Sequence, residues 1–161
     1  MSGVAIVDYT SVYEGAWREL FTTYFIDDLK TGLSEEIIQT KICNFIIDAI
    51  QSGTISMKIA LSGERPIGFG IYQIDTPKSD WCKREGWGFI REFYIDRAHR
   101  GLGCGRRLCE SVEQALRQMG AAQIYLTSDD AVGFWLRCGY ADSGEKTEEG
   151  LCYLTKSYAD G

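Results

Sequence analysis

Histidine occurs once in this chain, at position 99, and no two of the six cysteines form a C-x-x-C pair. Cys43, Cys82, Cys104, Cys109, Cys138 and Cys152 therefore offer no donor set with the usual zinc spacing, and no metal is expected. They read instead as reduced thiols that pack as small apolar side chains. No apolar run approaches the roughly 20 residues that a membrane-spanning helix requires, so no membrane partner is expected. The opening MSGVAIVDYT has no basic stretch leading into an apolar one, which points to a cytosolic setting. Positive charge is also short: 17 Lys and Arg against 23 Asp and Glu give a formal net charge of −6 and a pI near 4.8, which argues against nucleic-acid binding. Low-complexity tracts, internal repeats and interdomain linkers are missing too. With 161 residues, 45% apolar and 25% charged, the composition predicts a single cored domain over 1–161.

What is present alternates between the two structural periods. GVAIVDY reads as a strand. The following segment places Tyr13, Ala16, Trp17, Leu20, Phe21, Tyr24 and Phe25 on one helical face, with Ser11 and Glu14 spaced as a capping box. A second helix begins at Ser34 and stops at Gly53, where a left-handed residue is tolerated. SMKIAL and RPIGFGIYQID read as a hairpin around SGE. WGFIREFYID is a strand whose alternation puts Glu92 on one face with Ile90 and Tyr94. A carboxylate between apolar neighbours is costly unless it is paired or used. Next come a helix marked by Leu108, Val112, Ala115, Leu116 and Met119, the strand QIYLTS, a short helix in DDAVGFWLRCGY with acids at its start, and a last strand in EEGLCYLTKSY. The order β-α-α-β-β-β-α-β-α-β-β predicts a mixed α/β (α+β) sheet covered by helices, with one strand–glycine loop–helix crossover at its centre.

That crossover holds RAHRGLGCGRRL, residues 97–108. The nucleotide P-loop pattern has no match here, and the third glycine of the dinucleotide fingerprint would fall on Arg106, so neither ATP nor NAD is supported. Gly101, Gly103 and Gly105 let successive backbone N–H groups turn toward one point at a helix start, which favours an anion such as a pyrophosphate. Arg97, Arg100, Arg106 and Arg107 would add a positive mouth to an acidic surface. A glycine-rich turn followed by a solvated basic helical turn is the other reading of the same residues.

The segment resembles the GNAT superfamily of N-acetyltransferases. Their Arg/Gln-x-x-G-x-G/A signature is met by Arg100-Gly101-Leu102-Gly103-Cys104-Gly105 after IREFYID. A second family element is met by Ala131, Phe134, Trp135, Gly139 and Tyr140. The resemblance implies a mostly antiparallel central sheet with helices on both faces and a bulge or splay at the acyl-CoA site, between the strands at 87–95 and 123–128. It implies acetyl-CoA as co-substrate, its pantetheine beside the backbone of Phe93, Tyr94 and Ile95, and its pyrophosphate on the amides from Arg100 to Gly105. Ser128 stands where many members have an asparagine near the cofactor, and Phe134 would pack against it.

By the same resemblance Glu92 is the candidate base, and a carboxylate with a purely structural partner is the alternative. Trp135 stands where many members carry a tyrosine proposed as general acid, and indole N–H is no useful proton donor there. That role is left to water or to a tyrosine elsewhere. His99 reads as a loop residue beside the phosphates. Cys104 and Cys138 lie in these functional segments, where a thiol reagent would block by bulk alone. The implied reaction is acetyl transfer to a primary amine of a small molecule or peptide; a non-catalytic acyl-CoA sensor or scaffold is the alternative. Asp27, Asp28, Glu35, Glu36, Asp142, Glu145, Glu148 and Glu149 could steer a cationic acceptor or be ordinary solvated acids. A homo-oligomer is compatible with all of this.

Overall fold

The computed structural model describes residues 3–158. Seven strands, β1 (Val4–Asp8), β2 (Ser56–Ser62), β3 (Arg65–Ile74), β4 (Gly88–Ile95), β5 (Gln123–Ser128), β6 (Ala141–Lys146) and β7 (Cys152–Ser157), hydrogen-bond in the order β1-β2-β3-β4-β5-β7-β6. The pairs β1/β2, β5/β7 and β6/β7 are antiparallel, while β4 and β5 run parallel, with Gly88 opposite Ile124 and Phe89 opposite Tyr125. A parallel pair requires a crossover, and α4 (Cys104–Gln118) supplies it. The β6/β7 ladder carries a register shift between Asp142 and Lys146.

The helices before β2 are less regular than their apolar spacing predicts. α1 (Glu14–Thr23) follows a 3₁₀ turn at Ser11–Tyr13 and widens into a π-helical turn over Tyr24–Asp28, closed by Leu29 N–H on the Tyr24 carbonyl at 2.9 Å. The expected capping box does not form. Thr10 takes the cap position without a side-chain bond, and Glu14 instead accepts from Arg18 Nε at 3.0 Å one turn on. Arg18 also donates to Gln39 Oε1 at 3.0 Å and Asn44 Oδ1 at 2.7 Å, so its fork ties α1 to the next helical run. That run is α2 (Glu35–Ile37), a π-helical stretch (Ile38–Cys43) and α3 (Asn44–Ser52). Ser34 caps it by accepting from Ile37 N–H at 3.2 Å, and Gly53 ends it at φ 84°. α5 (Val132–Arg137) completes the set; its first turn carries no acid, because Asp129 and Asp130 lie before its cap at Ala131. Met119, expected on the apolar face of α4, is half-exposed just past its end.

The chain forms two compact units: the chain up to Ile71 with Glu92–Leu108, and Tyr72–Arg91 with the chain from Cys109 onward. In the first, Trp17, Phe21, Ile38, Ile59, Phe69 and Ile71 form a buried apolar core with Tyr24 and Tyr94 at its edge. Burying six such side chains contributes on the order of 10 kcal/mol before chain entropy is charged. Gly68 of β3 is required there, since a Cβ on it would sit 2.6 Å from the Tyr94 carbonyl oxygen. In the second unit, Tyr125 stacks on Phe89 (4.6 Å, 11°), and Phe89 on Trp81 (5.6 Å, 15°). There the buried Asp75 carboxylate accepts from the Tyr125 hydroxyl, from Gln73 Nε2 at 2.8 Å, and from the backbone N–H groups of Lys83 and Arg84 at 2.9 and 3.0 Å. This network folds the hydrophilic stretch between β3 and β4 onto its own unit and satisfies a charge that burial would otherwise penalise.

Candidate active site

β4 sits fourth among seven strands, at the centre of the sheet where the sequence places the glycine-loop crossover. Its middle residues Arg91, Glu92 and Phe93 are half-buried, whereas Ile90, Tyr94 and Ile95 are buried. Glu92 accepts a hydrogen bond of 2.5 Å from the hydroxyl of Tyr24, 68 residues earlier on the π-helical turn. Tyr24 is itself enclosed by Phe21, Phe25, Phe69 and Tyr94, with ring centroids 5.3 to 5.8 Å away. Burial, and after it the Glu92 carboxylate, pushes the Tyr24 hydroxyl well above the ordinary phenol range, against a backbone hydrogen bond from Phe93. Three groups thus meet at one point: a half-buried carboxylate, a neutral phenol and the backbone of the next strand residue.

β4 ends at Ile95, where Asp96 N–H bonds the Ile67 carbonyl at 2.7 Å. Asp96 then caps a 3₁₀ turn over Arg97–His99 by accepting from Ala98 N–H. Gly101 and Gly103 follow at φ 80° and 87°, and a Cβ on either would meet nothing within 4 Å. The left-handed backbone explains glycine at both positions, and the open space beside them leaves room for a ligand to approach the main chain. Cys104 opens α4 with its side chain buried, Gly105 is its second residue, and Leu102 projects into solvent.

The arginines are engaged more tightly than a solvated positive mouth would require. Arg100 donates from Nε to the Ile95 carbonyl at 2.6 Å and from its terminal nitrogen to Asp28 at 2.8 Å, and lies over the Tyr94 ring at 5.3 Å. Arg97 is 3.9 Å from the same carboxylate, and Arg107 donates to the Val4 carbonyl at 2.8 Å. Asp28, grouped by sequence with acids that could steer an acceptor, is committed to these arginines; Glu145, from the same group, pairs with Arg84 at 2.6 Å. His99 Nδ1 lies 3.8 Å from Asp96 in the loop.

In the second unit, Ser128 ends β5 opposite Cys152 and is half-buried. Phe134 is half-buried on α5, edge-on to Trp135 at 4.9 Å. Trp135 is buried and packs edge-on against Tyr140 at 5.4 Å, which makes it a core residue of this unit. Cys109 is buried, and Cys138 half-buried, beside the pair formed by Lys156 and Glu113 at 3.2 Å. Among the described residues, no group of three or more His, Cys, Asp or Glu is placed to hold a metal ion, and no helix is long and apolar enough to cross a membrane.

Residues 12–140, which carry α1, β4, the glycine loop and α5, match the acetyltransferase (GNAT) family model. The chain belongs to the GNAT acetyltransferase family. It is 27% identical over 89 residues to the uncharacterized N-acetyltransferase YjcF of Bacillus subtilis (strain 168), a match that covers 55% of this chain and 57% of that relative's length. The fold is shared with the PaiA N-acetyltransferase of Thermoplasma acidophilum in complex with coenzyme A (TM-score 0.74, 16% identity, 97% of this chain and 99% of that one). It is shared equally with yncA of Salmonella typhimurium, solved with its cofactor acetyl-CoA (TM-score 0.72, 13% identity, 99% and 96%).

The contacts of Tyr24 and Asp28 are not legible in the sequence: spacing puts Tyr24 on an apolar helical face and composition groups Asp28 with other acids, because neither the hydroxyl's partner nor the carboxylate's can be read from neighbouring residues.

Proposed function

We propose that this GNAT chain, acting as one domain, transfers an acetyl group from acetyl-CoA to a primary amine of a small molecule or peptide, by direct attack in a ternary complex. The observation that carries the reading is the half-buried Glu92 carboxylate, held by a phenol three residues before the end of a strand that runs into an open, left-handed glycine loop at a helix start. The main chain from Arg100 to Gly105 would receive the pyrophosphate, and the backbone of Phe93, Tyr94 and Ile95 would line the pantetheine arm. The Ile95 carbonyl already accepts from Arg100 but has a second lone pair to offer.

The chemistry needs a base more than an acid. An alkylammonium with pKa about 10.4 costs about 4–5 kcal/mol to deprotonate at neutral pH, while a thiolate with pKa about 8.5 leaves with only about 2 kcal/mol of help. Glu92 takes the proton from the amine, directly or through water. The freed nitrogen attacks the thioester carbonyl carbon, the C–S bond breaks, the thiolate leaves with the bonding pair, and the second amine proton passes through water to the thiolate as the amide forms. The Phe93 N–H would polarise the carbonyl as the oxyanion develops, shared with the Tyr24 oxygen it already meets. No side-chain nucleophile is required, since holding both substrates together supplies much of the rate.

The test is CoA release from acetyl-CoA across a panel of polyamines, aminoglycosides, amino acids and peptide N-termini. Glu92→Gln is expected to lower turnover of the best amine by about 100-fold while leaving acetyl-CoA affinity within about twofold. Unchanged turnover at neutral pH removes Glu92 from the mechanism. The burial of Trp135 where many members carry a catalytic tyrosine favours a second reading, a non-catalytic acyl-CoA sensor. Thermal stabilisation by CoA without amine-dependent release across the whole panel would establish it.

A further inference from the structure

We propose that Tyr24 is a positioning residue of this active site: its hydroxyl orients the Glu92 carboxylate and holds it in the proton-accepting form. The inference rests on the reading of Glu92 as base and adds the device that keeps it ready.

The direction of the bond follows from the inventory of donors. A carboxylate has acceptors only, so the hydrogen in the 2.5 Å contact belongs to the phenol. The Phe93 backbone bonds the same hydroxyl and favours its ionised form, which makes it a donor to the phenol oxygen. The single phenolic hydrogen is thereby directed at Glu92 Oε1. Burial and the neighbouring carboxylate keep Tyr24 protonated throughout the physiological range, so the donor is always loaded.

Packing does not explain the hydroxyl. The ring is enclosed by Phe21, Phe25, Phe69 and Tyr94, an environment that phenylalanine would fill equally well without a polar atom to satisfy. The backbone is specialised at the same place: α1 widens into a π-helical turn starting at Tyr24, a feature frequent at functional sites. Four residues on, the same turn presents Asp28 to Arg100 at 2.8 Å. One wide turn thus braces both the carboxylate and the arginine that precedes the glycine loop. Asp28 on the same turn adds its charge beside the Tyr24 hydroxyl, and Asp96, Arg97 and Arg100 lie around the neighbouring Tyr94. The two arginines are drawn toward Asp28, and the phenol donates to Glu92 Oε1.

A hydrogen bond donated to the ionised form favours that form, so its loss must move the titration of Glu92 upward. The measurement is the carboxyl ¹³C titration of Glu92 in protein labelled at glutamate, with the signal assigned by its disappearance in Glu92→Gln. Tyr24→Phe, which keeps the ring, is expected to raise the midpoint by about 1–2 pH units. It should also move the acidic limb of kcat/KM for the best amine of the panel upward by the same amount, with KM for acetyl-CoA unchanged. Replacement of Tyr24 by 3-fluorotyrosine keeps the hydroxyl and makes it a stronger donor, so it should shift both readouts the other way and decides the matter if Tyr24→Phe does not fold. A Glu92 midpoint that stays put in either variant overturns the inference, even if activity or melting temperature falls. Full activity of Glu92→Gln would instead overturn the reading of Glu92 as base and leave the titration result standing.

Discussion

Gly103 has a φ of 87° and nothing within 4 Å of where its Cβ would be. The two facts separate strain from obstruction. Alanine there costs about 1 kcal/mol in backbone conformation and clashes with no protein atom. Gly103→Ala is therefore expected to lower stability only slightly while weakening acetyl-CoA binding about tenfold, because the methyl would stand on the loop face proposed to receive the pyrophosphate. Calorimetric titration beside thermal melting reads both, and equal affinity in the variant would remove this loop from the binding site. Asp28 shows the opposite lesson for single residues. It lies among acids that suggest steering, yet its carboxylate is held by Arg100 and Arg97, so its charge does not face an incoming amine unpaired.

At the scale of elements, β3 and the end of β4 approach as closely as backbones allow at Gly68. A Cβ on residue 68 would lie 2.6 Å from the Tyr94 carbonyl oxygen and 3.3 Å from the Ile95 Cα. A main-chain oxygen inside a ladder cannot swing aside as a side chain can, so the strand itself must shift. Gly68→Ala is expected to destabilise the protein by about 2–3 kcal/mol and to raise the Kd for acetyl-CoA, since Tyr94 and Ile95 are proposed to line its pantetheine arm. Chemical denaturation and equilibrium binding check the two effects. Gly88, at the other end of β4, faces Leu116 side-chain carbons at 3.0 and 3.1 Å, which can move, so the same substitution there should cost less.

For the molecule as a whole, several buried acids resist ionisation in the same direction. Burial pushes the Cys43 thiol up to about 11, and raises the Tyr24 and Tyr94 hydroxyls above their ordinary range. The native state therefore keeps protons that the unfolded chain gives up from about pH 9. Stability from these groups is intact below that pH and declines as pH rises toward 11, where the unfolded state binds fewer protons. Urea melts from pH 8 to 11 should show a falling midpoint, and Cys43→Ala should flatten the slope relative to the parent. A midpoint independent of pH over that window would contradict the burial of these groups.

Much of this protein is written in short windows of sequence. The alternation around Glu92, the glycines after Ile95, the Ser34 cap and the Gly53 stop each depend on residues within a few positions, so their spacing alone determined a strand, a left-handed loop and the helix limits. The failed capping box at Ser11 and Glu14 marks the edge of that reach: Arg18 competes for the carboxylate, and the Arg18 fork is satisfied by Gln39 and Asn44, residues that only folding brings near. The insertion of β7 between β5 and β6, the grip of Asp28 on Arg100 across 72 residues and the bond from Tyr24 to Glu92 across 68 were decided by tertiary structure. Periodicity reports which face of an element is apolar, but which atom waits opposite depends on strand order and helix placement, and these are settled by packing over the whole chain.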